Sequence, residues 1–498
     1  MVIPIYAANY VFALVDPMNE RYDIIVAGAG MAGLPAAAMA AKSGAKVLLL
    51  DRNNKENVGR KTNWGWICGD AVATSHLDFI KSNLGISFSY PELEQQVDGV
   101  YAISPDFKSK ILFDDGNGYV LNRPIFEGKM LEHALKQGVE YMPNFEVERP
   151  IIEGNYVVGI AGKDEKKEHR EFRAKVVIDA LGISTTLRRA LPKNDYVERM
   201  VDIDDLELTG RFLYEFDIDH EDPLLYNPKY ALIHINQVIA PGGYGWVFPK
   251  KGNRANIGIG VQKRSLEIRN AKMNRKDTLQ SLMKEYATSI PVFKNMRLYN
   301  EGPNGGEGYW SVAVRHQMEA LTFNGYIGAG DSMVMPNPIS AGGIGPALTA
   351  GVLAGIDAAE AVANGDVSIK GLWKYNLDFN EHYGKKSASL EVFRVYLQSL
   401  NNDIINYGMR VFLTAKEAQQ LSYGLVPELS LASKFKTILQ GASNINAFRN
   451  LLYVVKKMKE INQLYEKYPK SPEEFPEWKS RILNEVKEFK ERFKPNPV

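Results

Sequence analysis

The feature that constrains the fold most is a glycine-rich turn between a strand and a helix. Residues 23–27 (DIIVA) have the composition of a short buried strand, the motif GAGMAG follows at 28–33, and an alanine-rich helix extends to about Ser43. A second strand is predicted at 46–50 (KVLLL) and ends at Asp51. Together they make a βαβ unit of about thirty residues, which is typical of a parallel sheet.

The spacing of the glycines indicates dinucleotide binding. The first permits a tight turn, the second lets the backbone approach a pyrophosphate, and the third lets the helix pack close to the sheet. The helix start offers N–H groups and a positive dipole end to phosphates, and an acid after the second strand can accept hydrogen bonds from a ribose. The candidate contacts are Gly28, Gly30, Ala32, Gly33, Asp51 and Arg52. The alternative is a glycine-rich turn that binds no ligand.

Composition excludes several classes of protein. The chain has 498 residues, 45% hydrophobic and 24% charged, which excludes a mostly disordered protein. The formal net charge is +1, so no nucleic-acid partner is expected. Cys68 is the only cysteine, which excludes an intrachain disulfide, a thiolate-only zinc site and an iron–sulfur cluster within the chain. A redox cofactor would then be organic or held by other ligands; no metal site is predicted, and a cytoplasmic location is the default expectation.

The pattern along the chain divides it into four parts. Alternating runs at 230–238 and 256–262 predict a separate antiparallel sheet formed by about 95–125 and 205–320, and a second glycine-rich stretch at 325–351 should rejoin the first domain. The expected fold class is α/β plus α+β: a Rossmann-like nucleotide-binding domain, an antiparallel-sheet substrate domain and a helical C-terminal region. The predicted parts are an N-terminal arm at 1–20, the nucleotide-binding domain at 21–95, 126–204 and 321–365, the substrate domain at 96–125 and 205–320, and the helical region at 366–498.

The two ends of the chain each allow two interpretations. The apolar residues 1–15 lack a basic region and a cleavage site, so we expect an extra strand or packed arm rather than a signal peptide; the alternative is a segment that dips into a bilayer surface. From residue 431 onward, 14 Lys or Arg stand against 8 Asp or Glu, and 469–476 divides this tail into two helical pieces. Such charge is typical of a solvated helical face, and it also suits peripheral contact with anionic lipid at the cytoplasmic membrane face.

The second glycine-rich stretch resembles a flavoprotein motif. A strand ending in Gly330-Asp331 is followed by MPNPISAGGIG at 335–345 and an alanine-rich helix. This resembles the second FAD fingerprint of the para-hydroxybenzoate hydroxylase-like flavoproteins, which implies that Asp331 binds the ribityl chain and that the helix start faces flavin N1 and the C2 carbonyl. A helix N-terminus suits the negative charge that reduced flavin carries there. The FAD contacts implied are Gly330, Asp331, Gly342, Gly343 and Ile344.

Three further positions follow from this resemblance. KVVIDALG at 175–182 is similar to the third element of the family, but Ala180-Leu181 stands where an Asp-Gly pair is common, which weakens any role for Asp179. Arg123 occupies the place of the family arginine that reaches the FAD pyrophosphate or ribityl oxygens; otherwise it would form a surface ion pair. Val147, on a strand near 139–148, is a candidate backbone contact for adenine.

Two motifs narrow the resemblance. PGGYGWVFP at 241–249 matches P-x-x-Y-x-W-x-F-P, which resembles the signature of geranylgeranyl reductases. GWICGD at 65–70 resembles the Cys-Gly segment after the second strand in archaeal-type members, and this resemblance places Ile67, Cys68 and Gly69 beside the flavin. With the FAD elements it covers about residues 20–400.

The candidate catalytic residues are Cys68, Tyr244 and Trp246. Tyr244, Trp246 and Phe248 alternate, so on a strand they share one face and could wall an apolar tunnel; the alternative is an ordinary sheet core. Cys68 is a small buried hydrophobe, a thiol that shapes the pocket beside the flavin, or a thiol that helps to deliver a proton. An ordinary thiol pKa of about 8.5 makes it a poor acid for protonating an alkene.

The resemblance implies an FAD-dependent reductase that saturates C=C bonds of geranylgeranyl chains in archaeal-type ether lipid precursors, by hydride from flavin N5 plus a proton. No residue is an obvious proton donor. The implied partners are a polyprenyl lipid substrate and an electron donor, either NAD(P)H or a reduced ferredoxin-like protein. The alternatives are a flavin monooxygenase that hydroxylates an apolar or aromatic substrate on the same fold, and a redox-silent FAD-binding lipid carrier.

Overall fold

The computed structural model describes residues 21–58, 68–114, 117–184, 186–218, 226–290, 292–300, 305–412, 414–427 and 442–498. Within these ranges the strands are β1 (Arg21–Ala27), β2 (Val47–Leu50), β3 (Ala71–Ala73), β4 (Leu93–Val97), β5 (Gly99–Ile103), β6 (Lys110–Phe113), β7 (Gly118–Leu121), β8 (Glu140–Met142), β9 (Glu146–Glu153), β10 (Tyr156–Lys163), β11 (His169–Asp179), β12 (Leu206–Ile218), β13 (Tyr230–His234), β14 (Gly245–Lys250), β15 (Arg254–Gln262), β16 (Phe293–Leu298), β17 (Glu307–Ala313), β18 (Thr322–Phe323) and β19 (Tyr326–Gly328). The helices are α1 (Gly33–Lys42), α2 (Thr74–Leu84), α3 (Arg123–Lys136), α4 (Thr186–Arg189), α5 (Lys263–Met273), α6 (Leu279–Ser289), α7 (Ile344–Asn364), α8 (Trp373–Phe379), α9 (Lys385–Gln398), α10 (Asn402–Val411), α11 (Ala415–Ser422), α12 (Ala442–Glu466) and α13 (Phe475–Arg492).

The first sheet contains the βαβ unit that the sequence predicts. Its parallel strands follow the order β19-β11-β1-β2-β8, and β18, β10 and β9 add antiparallel pairs. Consecutive residues of β1, from Ile24 to Ala27, are fully buried, as expected for a parallel strand covered on both faces. Because β19 pairs with β11, the second glycine-rich stretch rejoins the first domain, as predicted.

Helix α7 packs closely on α1 through small residues. A β-carbon on Gly351 would overlap the carbonyl oxygen of Ala32, and one on Gly355 would lie 2.5 Å from the carbonyl oxygen of Ala36. Helix α7 is long and apolar enough to cross a membrane, but 78% of its most apolar window is buried inside the protein. Its apolar surface is therefore used in packing against α1.

The second sheet has the order β16-β12-β15-β14-β13-β5-β6, with β17 also on β12. Its pairs are antiparallel except for β13 with β5, which is parallel. The expectation that all of about 95–125 joins this sheet is wrong: β4 and β7 form a separate three-stranded sheet with β3. The parallel pair arises because β5 reaches β13 across a long connection rather than a hairpin.

The two faces of the second sheet have different surroundings. Val247, Ile257 and Ile259 form one core with Leu282 and Met283 of α6. Residues opposite each other in the register share a face, so Arg211, Gly258 and Trp246 lie on the other side. We call this side the inner face; by the same register it carries Glu207, Thr209, Arg211, Tyr244, Trp246, Phe248, Asn256, Gly258 and Gly260.

The C-terminal helices have a core of their own. Helices α9, α12 and α13 contribute Val392, Tyr396, Leu451, Val454, Trp478 and Phe489 to it. The two helical pieces predicted for the tail are therefore confirmed, but much of their surface is packed rather than solvated. The predicted arm at 1–20 and the start of the tail, up to residue 441, lie outside the described residues.

Candidate active site

In the first glycine motif, two glycines leave no room for a side chain, and the third has free space around it. Gly28 has a φ of +102°, and a β-carbon there would overlap the carbonyl oxygen of Ala180. A β-carbon on Gly33 would overlap the carbonyl oxygen of Gly28. At Gly30 a β-carbon would meet nothing within 4 Å. The turn thus leaves free space at the glycine assigned to close approach of a pyrophosphate, just before the start of α1.

The acid after β2 is tied to the same turn. Asp51 accepts the N–H of Ala29 at 2.6 Å and the N–H of Asn53 at 2.7 Å. Burial raises the pKa of the Asp51 carboxyl although these two N–H groups and the nearby charge of Arg52 act in the opposite direction. Arg52 is exposed, and Val147 is half-buried on β9. Asp51 is therefore held at the edge of the open turn, where a ribose could reach it.

The second glycine motif meets the first. Gly330 has a φ of +72°, and a β-carbon there would lie 3.1 Å from that of Ala32. The next residue, Asp331, is half-buried and makes no side-chain hydrogen bond within the described residues. Burial raises the pKa of its carboxyl, and the positive charge of Arg123 acts against this rise. A carboxylate without a protein partner beside an open turn suits a ligand that offers hydroxyl groups.

The start of α7 is the third part of this cleft. Gly342 is exposed and Gly343 half-buried, whereas Ile344 is buried as the first residue of the helix. A β-carbon on Gly343 would lie 3.3 Å from Oδ1 of Asp331. The glycine pair thus leaves backbone accessible at a helix N-terminus, next to the acid assigned to the ribityl chain.

Arg123 connects the nucleotide cleft to residues 68–70, which we call the cysteine segment. It begins α3, forms an ion pair with the buried Glu127, and its side chain is 18% exposed. Its charge acts on Cys68, Asp70 and Asp331. The surface ion pair considered from the sequence is therefore wrong: its partner is fully buried, and the arginine faces the cleft.

Asp70 anchors the cysteine segment to the inner face. It is fully buried with a φ of +68°, and its Oδ2 lies 3.5 Å from Arg211 Nη2 and 3.2 Å from Lys250 Nζ. Asn256 Nδ2 donates to the same carboxylate at 3.1 Å and to the carbonyl oxygen of Cys68 at 2.8 Å. Three strands of the second sheet, β12, β14 and β15, thereby fix a segment of the first domain.

The aromatic residues of the signature motif form a row on the inner face, as predicted. The ring centroids of Tyr244 and Trp246 are 6.1 Å apart, and those of Trp246 and Phe248 are 6.2 Å apart. The indole N–H donates to Asn256 Oδ1 at 3.0 Å, and the Tyr244 hydroxyl donates to the carbonyl oxygen of Ser340. The row therefore spans from the cysteine segment to the loop that leads into α7.

Cys68 lies between the nucleotide cleft and the ion pairs of Asp70. Its sulfur accepts the N–H of Asp70 at 3.3 Å. Burial raises the pKa of the thiol, with the charge of Arg123 acting to lower it and that of Asp70 to raise it. The thiol is therefore protonated at neutral pH and remains a weak acid. A β-carbon on Gly69 would lie 2.8 Å from the ring of Phe248, and Ile67 lies outside the described residues.

Sequence reasoning missed the residues that hold the cysteine segment. Arg211, Lys250 and Asn256 are 141, 180 and 186 positions from Asp70, and no local pattern marks them as its partners. Asp179 has a structural role, since it accepts the Tyr326 hydroxyl at 2.9 Å and the N–H of Leu181 at 3.1 Å. That agrees with assigning it no cofactor contact.

Comparisons with known proteins agree with this geometry. Residues 23–190 match the family model of FAD dependent oxidoreductases, and residues 213–297 match that of the geranylgeranyl reductase catalytic domain. The digeranylgeranylglycerophospholipid reductase of Sulfolobus acidocaldarius is 32% identical over 476 residues, which cover 94% of this chain and 98% of the relative. The reductase of the same name from Methanosarcina acetivorans is 31% identical over 71% of this chain and 79% of its own length.

Solved structures show the same fold. A geranylgeranyl bacteriochlorophyll reductase-like protein from Thermoplasma acidophilum superposes with a TM-score of 0.69 at 23% identity, covering 89% of this chain and 99% of that one. A flavin-dependent brominase superposes with a TM-score of 0.62 at 18% identity, covering 84% and 98%. From the length and identity of the curated matches, the chain belongs to the geranylgeranyl reductase family, and its cofactor is FAD.

Proposed function

We propose that this protein saturates carbon–carbon double bonds in the geranylgeranyl chains of archaeal-type ether lipid precursors, with a digeranylgeranylglycerophospholipid as substrate. The observation that carries the proposal is the aromatic row on the inner face, between the Cys68 segment and the loop before α7. An isolated alkene has no carbonyl group to polarise it, so the protein must align the bond and keep water away. Aromatic walls can do both.

The residues of the cleft fit the parts of FAD, and we assign them accordingly. The open space at Gly30, with Ala32 and the start of α1, would hold the pyrophosphate. Asp51 would bind the ribose, with Arg52 and Val147 on the adenine side. Asp331 and Arg123 would bind the ribityl chain, and the backbone of Gly342, Gly343 and Ile344 would face the flavin ring. When bound and reduced, FAD supplies the hydride.

Three side chains would position the lipid. Trp246 is fixed by its bond to Asn256, and Tyr244 by its bond to Ser340, so neither ring needs to be ordered by the substrate. Preset rings reduce the entropy cost of aligning a flexible chain. Cys68 would line the same pocket with a neutral thiol. Its high pKa leaves the source of the proton to another residue.

The reduction also needs an electron donor and access to a lipid. We propose that NAD(P)H or a reduced ferredoxin-like protein supplies the electrons. Peripheral contact with a membrane surface would use the exposed lysines of the tail, such as Lys456, Lys459 and Lys467. Attraction of this kind is worth about 1 kcal/mol per lysine near an anionic surface and is sensitive to salt.

The experiment that tests the function is an anaerobic single turnover. Photoreduced protein is mixed with a digeranylgeranylglycerophospholipid, and the absorbance of oxidised flavin is followed; the fully saturated lipid is the control. We expect reoxidation with the unsaturated lipid alone. Product that forms only with oxygen and contains an added oxygen atom would instead identify a monooxygenase. Tight lipid binding without reoxidation would identify a lipid carrier.

A further inference from the structure

A carboxyl group lies on the inner face beside the aromatic row. Glu207 shares this face with Thr209 and Arg211 on β12, and Thr209 pairs with Gly260, whose N–H binds the carbonyl oxygen of Tyr244. A β-carbon on Gly260 would lie 2.9 Å from Glu207 Oε2, and one on Gly243 would lie 3.3 Å from it. The carboxyl group therefore reaches across β15 toward the residue before Tyr244.

The side chains of Glu207 and Trp246 lie over two neighbouring glycines on the inner face of β15, Gly260 and Gly258. The indole ring covers Gly258, where a β-carbon would overlap it, and the carboxyl group covers Gly260. Positions two residues apart on a strand are about 7 Å apart. The acid thus lies one step along the strand from the ring to which we assign alignment of the alkene.

The carboxyl group of Glu207 has no protein partner in the part of the chain that the structure describes. The residue is 4% exposed, yet its side chain makes neither a hydrogen bond nor an ion pair there. Buried carboxylates are normally paired because an isolated buried charge is costly. A buried carboxyl group without a partner therefore lowers the stability of the fold unless it is in its neutral, protonated form.

Burial of Glu207, opposed by one neighbouring charge, leaves its proton available near neutral pH. Burial raises the pKa of its carboxyl to about 7, and Arg394 of α9 acts to lower it. On the neighbouring strand, burial raises the pKa of the Tyr244 hydroxyl, and the charges of Glu207 and Cys68 add to that rise. Cys68 and Tyr244 are therefore weaker acids than usual, whereas Glu207 is an acid matched to neutral pH.

A cavity that water can enter lies beside two neighbours of Glu207. A cavity of about 410 Å³ is lined by Gln262, Arg394 and Gln398 together with Asp205 and Lys490. Gln262 is the register partner of Glu207, and Arg394 is the charge that acts on it. Water in this cavity therefore contacts two neighbours of Glu207, through which a replacement proton could reach the carboxylate.

We infer that Glu207 is the acid that supplies the proton when a double bond is saturated, an inference that rests on the function proposed above. The π bond breaks; one alkene carbon forms a C–H bond with hydride from the reduced cofactor, and the other forms a C–H bond with the carboxyl proton. The O–H electron pair stays on Glu207 as carboxylate, which then takes a proton from water. The two electrons come from the cofactor, which must then take two electrons from the external donor, in one step from NAD(P)H or in two steps from a ferredoxin-like protein.

The first test follows the proton without turnover. Protein labelled with ¹³C at the glutamate carboxyl is titrated by NMR without FAD and with FAD bound. We expect one resonance that titrates near pH 7, absent from Glu207→Gln and present in Asp357→Asn, a control at another buried acid whose pKa is raised, to about 6. The resonance of Glu207 is the one that disappears in Glu207→Gln. If that resonance does not titrate above pH 6 in the wild type, the inference is overturned.

The second test measures reduction in a single turnover. Glu207→Gln should keep its FAD and slow bond saturation by about a hundredfold or more. Glu207→Asp should recover part of the rate, and the wild-type rate should fall as pH rises through 7. If wild type reduces the lipid and Glu207→Gln does so equally fast, the role of Glu207 is wrong while the proposed function stands. If wild type leaves the lipid unreduced, the proposed function fails and this role with it.

Discussion

At the scale of single residues, the site depends on a buried charge cluster. Asp70 stands opposite Arg211 and Lys250, all three at most 1% exposed, in a conformation with positive φ. Aspartate is one of the few residues besides glycine that adopts this conformation readily. The cluster therefore sets both the backbone of the Cys68 segment and its distance from the inner face.

Removing the charge of Asp70 should destabilise the fold. Asp70→Asn keeps the size and the backbone conformation but leaves two buried cations without their shared carboxylate, which we expect to cost about 3–5 kcal/mol. Urea unfolding measures this against Glu171→Gln, which breaks the exposed pair with Arg149 and should cost at most about 1 kcal/mol. Equal unfolding midpoints for the two variants would show that the cluster does not hold the segment.

Asp331 should matter for the cofactor rather than for the fold. Because its carboxyl group has no hydrogen-bond partner among the described residues, Asp331→Ala should remove only the proposed ribityl contact and weaken FAD binding by about 1.5–3 kcal/mol. The measurement is flavin occupancy after dialysis, with Glu360→Ala on the exposed side of α7 as the control. Full FAD retention by Asp331→Ala would contradict the placement of the cofactor.

At the scale of elements, β14 joins the cleft to the second sheet, and a matched pair of variants isolates its role. Trp246→Phe loses the indole bond to Asn256, and Trp373→Phe loses an equivalent buried bond to the carbonyl oxygen of Pro469 in the C-terminal core. Both should lower stability by about 1–3 kcal/mol. Only Trp246→Phe should slow single-turnover reduction, by up to about a hundredfold through misalignment. Equal reduction rates would assign Trp246 to the sheet core alone.

The elements that the sequence predicts well are those with a local pattern. The βαβ unit differs from its prediction by about two residues, because apolar runs and glycines mark its ends. The run at 230–238 is a strand only to His234, and 95–125 is shared between two sheets, since strand partners depend on distant segments. Among the residues proposed for the site, motifs indicated Tyr244 and Asp331. Glu207 lies in no motif and is distinguished only by burial without a partner in the part of the chain that the structure describes.

At the level of the whole molecule, the tail is part of the folded core, whether or not it also contacts a membrane. Lys490 of α13 lies 2.8 Å from Asp205 and 2.9 Å from Glu391, and the tail helices fill the C-terminal core. Deleting the tail would therefore unfold that core, and charge reversal is the better test of membrane contact.

We expect Lys456→Glu with Lys459→Glu, both on exposed positions of α12, to weaken binding to anionic vesicles at low salt. The matched control is Lys166→Glu with Lys167→Glu, on an exposed turn between β10 and β11. Vesicle sedimentation measures both. Identical binding of the two variants would leave the tail a purely structural cap.

Glu207 should also make the stability of the whole protein depend on pH. Its folded pKa of about 7 is above its ordinary value of 4.5, so the unfolded state loses its proton first and stability falls as pH rises between these values. The loss is about 3 kcal/mol in wild type and absent in Glu207→Gln. Urea unfolding at several pH values should therefore show that the free energy of unfolding of Glu207→Gln rises relative to that of the wild type from pH 4.5 to 8. A constant difference would mean that Glu207 is ionised in the folded protein.

Saturation of the lipid changes its mass, so mass spectrometry of the product shows whether the proposed reaction takes place. Purified, chemically reduced protein is incubated without oxygen with a digeranylgeranylglycerophospholipid, and the lipid is then extracted and weighed. We expect products heavier by the mass of two hydrogen atoms for each bond saturated, and by two deuterium atoms when the protein is reduced and the reaction is run in heavy water, because the N–H hydrogen of the reduced cofactor also comes from solvent. A lipid of unchanged mass, or one that gains oxygen when air is admitted, would contradict it.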